Sequence, residues 1–293
     1  MATELRVLFI SLFVLFSPLL GAQSDSPTIH RDVEYGRAAE KTLLLDVSEP
    51  EGEGPFPVAI YVHGGGWTGG DKANPDDAPI LKLLTRAGFT WFSINYRLAP
   101  EHPWPACLND VQTAIRWVKA NAKTYKGDPS RIVLAGYSAG GQLATFSATV
   151  VDESVGVQAV VGFAPATDFV EELPRRGNIL GRAQRGLLNR PQDLTPETLG
   201  MLKALSPINY IRPGLPPYLL VQGDADQSVP YEQSLAFQSK LQANDVRCDL
   251  ITLPGAPHRL TEWDQYLPDY GNQVISWLNE VLGCHEDLDK GKS

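Results

Sequence analysis

Short apolar runs rich in Val, Ile, Leu, Phe and Tyr alternate along this chain with longer stretches whose apolar residues recur every three to four positions. The runs at 58–63, 90–97, 131–136, 159–164 and 218–223 contain too few polar positions for a half-exposed strand and read as strands buried on both faces. Between them, 78–87, 106–123, 139–151 and 231–243 carry helical periods; Ile115, Val118 and Ala122, for example, share one stripe. Strand–helix–strand repetition implies crossover connections and a mostly parallel sheet. Two earlier segments, 28–35 and 42–47, read as an antiparallel lead-in, and 246–253 followed by 264–282 as a last strand and closing helix. The predicted fold is therefore α/β, an eight-stranded, mostly parallel sheet flanked by helices. Residues 168–213 break the pattern with charged pairs, scattered Gly and Pro and weak periods. An insertion after a strand's carboxyl end lies on the ligand-binding face of such sheets, so it reads either as a small cap over a site or as a structural crossover.

The first 22 residues stand apart from this pattern. Residues 5–20 form an apolar run ended by Pro18, too short to cross a bilayer stably, and Leu20-Gly21-Ala22 offers a cleavage site before Gln23. A signal peptide at 1–22 and a mature catalytic domain at 23–293, secreted or periplasmic, are expected, without stable membrane association once the leader is removed. The chain has 293 residues, 43% of them hydrophobic, enough for one large core. A formal net charge of −9 leaves no bulk positive surface for phosphates, so nucleic acid is not an expected partner. Cys107, Cys248 and Cys284 show no metal-finger spacing, and at most two of them can pair within one chain. No metal and no cofactor is expected.

Two motifs carry chemistry. Residues 131–140 run as a strand into Gly136-Tyr137-Ser138-Ala139-Gly140, with a helix starting at Ala139. So tight a turn needs small flanking residues, and it projects the Ser138 hydroxyl into a cleft as a nucleophile. The helix amino terminus behind it favours developing negative charge. The second motif, His63-Gly64-Gly65-Gly66-Trp67, follows the strand at 58–63. Its glycines free backbone N–H groups to face a substrate oxygen, the requirement of an oxyanion hole, where one donor contributes on the order of 3 kcal/mol. A phosphate loop would need a Lys-Ser or Lys-Thr pair, which Trp67-Thr68 does not supply. His63 precedes the glycines and reads as a structural hydrogen-bonder, and Trp67 reads either as a lining of the acyl pocket or as a packing residue.

These motifs, together with Asn95-Tyr96-Arg97-Leu98, Pro100-Glu101 and Asp110, resemble the α/β-hydrolase superfamily over about residues 35–282. Within it they are most similar to the hormone-sensitive-lipase-like esterases and the related secreted deacetylase and feruloyl-esterase group. The resemblance implies an oxyanion hole built from the amides of Gly65, Gly66 and Ala139. It also implies a triad in the order Ser, acid, His. Gly223-Asp224-Ala225-Asp226-Gln227-Ser228-Val229-Pro230 is similar to the family's acid turn and selects Asp226 over Asp224, whose expected role is to cap the turn. His30 and His102 precede the serine and His285 lies in a polar tail, which leaves His258, in the loop after 246–253, as the base. The family usually has glycine where Pro257 stands. Tyr96, Arg97 and Asp110 read as a buried polar scaffold, Asp71 as a brace for the glycine loop, and Tyr137 as packing.

The expected function is hydrolysis of short-acyl or aryl-acyl esters through an acyl-enzyme, with acetyl or feruloyl groups on plant polysaccharides as the substrates the resemblance implies. A small ester or acylated carbohydrate is the expected partner. Two alternatives remain: amide hydrolysis of the formamidase type, which the leader opposes because that family is mostly intracellular, and a non-catalytic binding protein, which usually lacks a triad member.

Overall fold

The computed structural model describes residues 27–284 except 39 and 151. The leader at 1–22, the cleavage point at Gln23 and His285 lie outside the described residues. The strands are β1 (Thr28–Ala38), β2 (Lys41–Glu49), β3 (Phe56–Val62), β4 (Thr90–Ile94), β5 (Gly127–Tyr137), β6 (Ala159–Phe163), β7 (Tyr218–Gly223) and β8 (Cys248–Leu253). They form one sheet in the order β1-β2-β4-β3-β5-β6-β7-β8. β2 runs antiparallel to β1 and β4, and every other neighbour pair is parallel.

The helices are α1 (Ala78–Arg86), α2 (Ala106–Asn121), α3 (Ala139–Ser147), α4 (Arg182–Leu188), α5 (Pro196–Leu205), α6 (Tyr231–Gln242), α7 (Trp263–Tyr266) and α8 (Tyr270–Leu282). Side chains of successive strand residues point to opposite faces. In β3, Val58, Ile60 and Val62 accordingly join the apolar layer built with α2, α3 and α6, while Ala59 and Tyr61 join the layer built with α1, α7 and α8. β4, β6 and β7 are buried along their whole length and β3 from Val58 onward, which explains their unbroken apolar sequence.

The structure departs from the sequence reading in three places. The run at 90–97 stops as a strand at Ile94, so Arg97 lies beyond the sheet and not within a central strand. The stretch 264–282 is two helices, because Leu267 precedes Pro268 and takes an extended φ of −144° in place of the helical conformation a following proline disfavours. The 168–213 segment is more ordered than its weak periods imply: α4 and α5 bury Leu187, Leu188, Leu202 and Leu205 in the main core. Cys107, Cys248 and Cys284 are free thiols.

Candidate active site

β3 and β5 are neighbours, yet the chain leaves β3 for β4 on one side and β5 for β6 on the other. At such a reversal the connections diverge and a crevice opens beyond the carboxyl ends of the strands. The glycine loop follows β3 and Ser138 follows β5, so the topology brings the two motifs together.

Ser138 sits at φ 54° and ψ −116°, a conformation unusual for a residue with a side chain. Its amide donates to the Phe163 carbonyl at 2.8 Å, which holds the turn against β6. A Cβ added at Gly136 would strike the Gly140 carbonyl, and one added at Gly140 would strike the carbonyls of Val62 and His63. Both glycines are therefore fixed by close backbone approach, the second because α3 begins against the end of β3.

His258 bridges two partners. Its Nε2 lies 2.9 Å from Ser138 Oγ and its Nδ1 lies 2.7 Å from Asp226 Oδ2. Asp226 is 4% exposed, and its remaining capacity is filled by the amides of Ser228 (2.8 Å) and Val229 (2.9 Å) and by Gln222 Nε2 at 3.3 Å. So many donors keep a buried carboxylate satisfied and aimed. Asp224 does not cap its own turn: its Oδ1 accepts from the Gly255 amide at 2.6 Å, which ties the acid turn to the loop after β8. Pro257 does not prevent the loop from presenting His258, and the Pro257 carbonyl accepts from Trp263 Nε1 at 2.9 Å.

The amides of Gly65, Gly66 and Ala139 make no hydrogen bond among the described residues. The loop is braced from behind. His63 Nδ1 donates to the Gly64 carbonyl at 2.7 Å, its ring stacks on Tyr96 at 4.4 Å, and burial lowers its pKa, which keeps it neutral and a poor proton acceptor for chemistry. Asp71 accepts from the Ala73 amide at 2.9 Å and from Asn95 Nδ2 at 2.8 Å, as a brace should. Arg97 and Asp110 form a paired fork, with Nη2 2.8 Å from Oδ1 and Nε 2.9 Å from Oδ2. Trp67, 5% exposed, is both packing and lining: its Nε1 donates to Gln142 at 3.0 Å, its ring packs on Phe169 at 5.5 Å, and it borders the cavity above Ser138.

That cavity, of about 410 Å3, is lined in part by the insertion, which supplies Phe169, Glu172, Arg176, Arg182, Ala183 and Gln184 to its wall. The segment packs into the core and also lines the cavity beside Ser138. A second cavity of about 350 Å3 lies on the other side of His258 and reaches Gly64, Gly65, Asp76 and Asp77.

Two contacts of the site escape sequence reasoning. Tyr137 does more than pack: its hydroxyl donates to the His258 carbonyl at 2.8 Å, and its ring stacks on the imidazole at 5.2 Å. No local signal reveals a partner 121 positions away. Asp77, 1% exposed, accepts from the Gly64 amide at 3.4 Å, and burial, with the charge of Asp76 adding to it, pushes its carboxyl up to about 6 against the opposing Gly64 and Tyr61 donors. Among the described residues no three His, Cys, Asp or Glu side chains gather to hold a metal ion, and no helix is long and apolar enough to cross a membrane.

The BD-FAE family model matches residues 45–241. Esterase LipC of Mycobacterium tuberculosis is 33% identical over 257 residues, which cover 82% of this chain and 62% of that protein. The chain spans between 50% and 62% of the length of LipC and two further mycobacterial relatives. Among solved structures, a truncated carbohydrate esterase from gut microbiota superposes with a TM-score of 0.76 at 25% identity, covering 89% of this chain and 99% of that one. The Thermogutta terrifontis esterase Est2 gives 0.71 at 25% identity, covering 89% and 94%. A glycine loop and a serine turn meeting at the sheet reversal, with a family match across most of the described chain, lead to one assignment: the chain belongs to the BD-FAE family of α/β-hydrolases, within the hormone-sensitive-lipase-like esterase group.

Proposed function

We propose that the protein is a serine carboxylesterase acting on short-acyl or aryl-acyl esters of carbohydrate alcohols. The carrying observation is the single line of contacts from Asp226 through His258 to Ser138 Oγ, at 2.7 and 2.9 Å, together with the Gly65, Gly66 and Ala139 amides, which have no partner among the described residues. In this reading His258 Nε2 takes the proton of Ser138 as Oγ attacks the ester carbonyl. The oxygen gains negative charge and is held by the Gly65, Gly66 and Ala139 amides. Protonated His258, oriented and stabilised by Asp226, returns the proton to the leaving alcohol; water then attacks the acyl-enzyme with the same group acting first as base and then as acid. Tyr137 fixes the backbone from which the imidazole projects.

The carbohydrate alcohol is supported by the mixed polar and apolar wall of the cavity and by the likeness to the gut-microbiota carbohydrate esterase. The predicted leader supports action outside the cytoplasm, which amino-terminal sequencing of exported protein tests: a start near Gln23 is expected, and a retained 5–20 segment would contradict it. The catalytic reading is tested with a fluorophosphonate probe and peptide mapping. Labelling of Ser138 alone, abolished in His258→Ala, is the expected result; labelling elsewhere, or none, would refute it.

A further inference from the structure

The cavity above Ser138 has an uneven charge. Its insertion-derived wall holds Glu172, Arg176 and Arg182, two cations against one anion, in a chain whose formal net charge is −9. Glu172 is 6% exposed and already committed: Oε2 accepts from Arg176 Nη2 at 3.1 Å, and Oε1 accepts from Gln184 Nε2. Arg176 Nη2 also reaches the Ser228 carbonyl at 3.5 Å, which ties the insertion to the turn that carries Asp226. Arg182, the first residue of α4, has neither an ion pair nor a side-chain hydrogen bond among the described residues, although it borders the same cavity as the nucleophile. Arg176 extends to its neighbour, since a Cβ on Gly181 would lie 3.1 Å from Arg176 Nη1. Both arginines are exposed at the rim of this one cavity, and an anion bound there would give Arg182 the fork-shaped partner it lacks. The cavity across His258 has the reverse balance, with Asp76 and Asp77 against Arg259, which already faces Glu262 at 3.5 Å, so an anion is less favoured there.

We infer that the insertion-side cavity selects esters carrying a carboxylate a few bonds from the scissile carbonyl, with Arg182 as the specificity-determining residue and Arg176 beside it. This rests on the esterase reading above and narrows its substrate class to anionic esters. The carboxylate belongs either to the alcohol, as in an acetylated uronic acid, or to the acyl group, as in a dicarboxylic half-ester; the chemistry recognised is the same.

The test compares kcat/KM within two matched pairs. The alcohol arm sets an acetylated galacturonic acid against its neutral uronamide; the acyl arm sets 4-nitrophenyl hemisuccinate against the neutral 4-nitrophenyl succinamate. The anionic member of at least one pair is expected to be favoured by about tenfold, the scale of one charge-assisted pair near a surface. That ratio is expected to fall to about 1 in Arg182→Gln, to survive in part in Arg182→Lys, and to drop below 1 in Arg182→Glu. A ratio at or below 1 in both arms of the natural protein, or one that persists in Arg182→Gln, overturns the proposal. Turnover of the neutral members reports separately on the esterase reading: if they are cleaved while the ratio is flat, only the charge selection fails, and if neither member of either pair is cleaved, both readings fall.

Discussion

Asp226 and Asp224 stand two positions apart in one turn, and the atoms each one meets divide their labour. Asp226 faces His258 Nδ1, whereas Asp224 faces only the Gly255 amide. Asp226→Asn should leave the turn nearly intact while presenting a donor to the imidazole, forcing the wrong tautomer and lowering kcat by on the order of 10⁴. Asp224→Asn should alter the unfolding midpoint more than turnover. Steady-state kinetics on both variants decide between them, and the reverse ranking would exchange the two roles. Asp77 makes a different prediction. With its folded pKa raised from 3.8 to about 6, the stability it contributes is full below pH 3.8 and is lost as pH rises through 6. Asp77→Asn removes that loss and should be more stable than the natural protein above pH 7, by up to about 3 kcal/mol, with the advantage gone at pH 4. Urea unfolding at the two pH values measures it; an advantage independent of pH would mean the carboxyl does not titrate in this way.

At the level of elements, the strand-to-helix turn at 136–140 leaves no room for a side chain at either flanking glycine. Gly140→Ala must displace either the end of β3 or the start of α3, so a destabilisation of about 1–3 kcal/mol together with loss of turnover is expected. Gly200→Ala in α5 is the control: nothing lies near its added Cβ, and a helical alanine should be neutral or stabilising by about 0.5–1 kcal/mol. Denaturation midpoints of the pair check this. The turn was legible in the sequence because its chemistry is local: glycines, serine and helix start lie within five residues, and their spacing encodes the geometry. The strands and main helices were legible for a related reason, since burial on both faces leaves an unbroken apolar run. The break at Leu267-Pro268 shows a cue outweighed by the helical period around it. The insertion was read poorly because it is stabilised by partners far along the chain, such as the Leu205 carbonyl accepting from Gln142 and the Leu187 carbonyl accepting from Trp104. Such non-local contacts leave no periodic mark in the segment itself.

At the scale of the whole molecule, the insertion lines the cavity beside Ser138. The wall it gives the cavity sets Glu172, Arg176, Arg182 and Gln184 beside Phe169 and Ala183, where a lipase lid would offer continuous apolar surface. A longer acyl chain gains rate only if a groove buries its methylenes, at about 0.8 kcal/mol each. Catalytic efficiency on 4-nitrophenyl esters should therefore fall between short acyl groups and chains of about ten carbons or more; efficiency that rises steadily with chain length would require an apolar channel at odds with this wall. In the proposed mechanism Ser138, held at the sheet reversal, and His258, delivered from the other end of the chain, act as one catalytic unit. Members of such a unit lose function together and not additively. The most direct measurement is kcat/KM for an aryl acetate with Ser138→Ala, His258→Ala and the double variant. Each single change is expected to cost about as much as both combined; losses that multiply in the double variant, or substantial activity surviving in Ser138→Ala, would refute a shared catalytic unit.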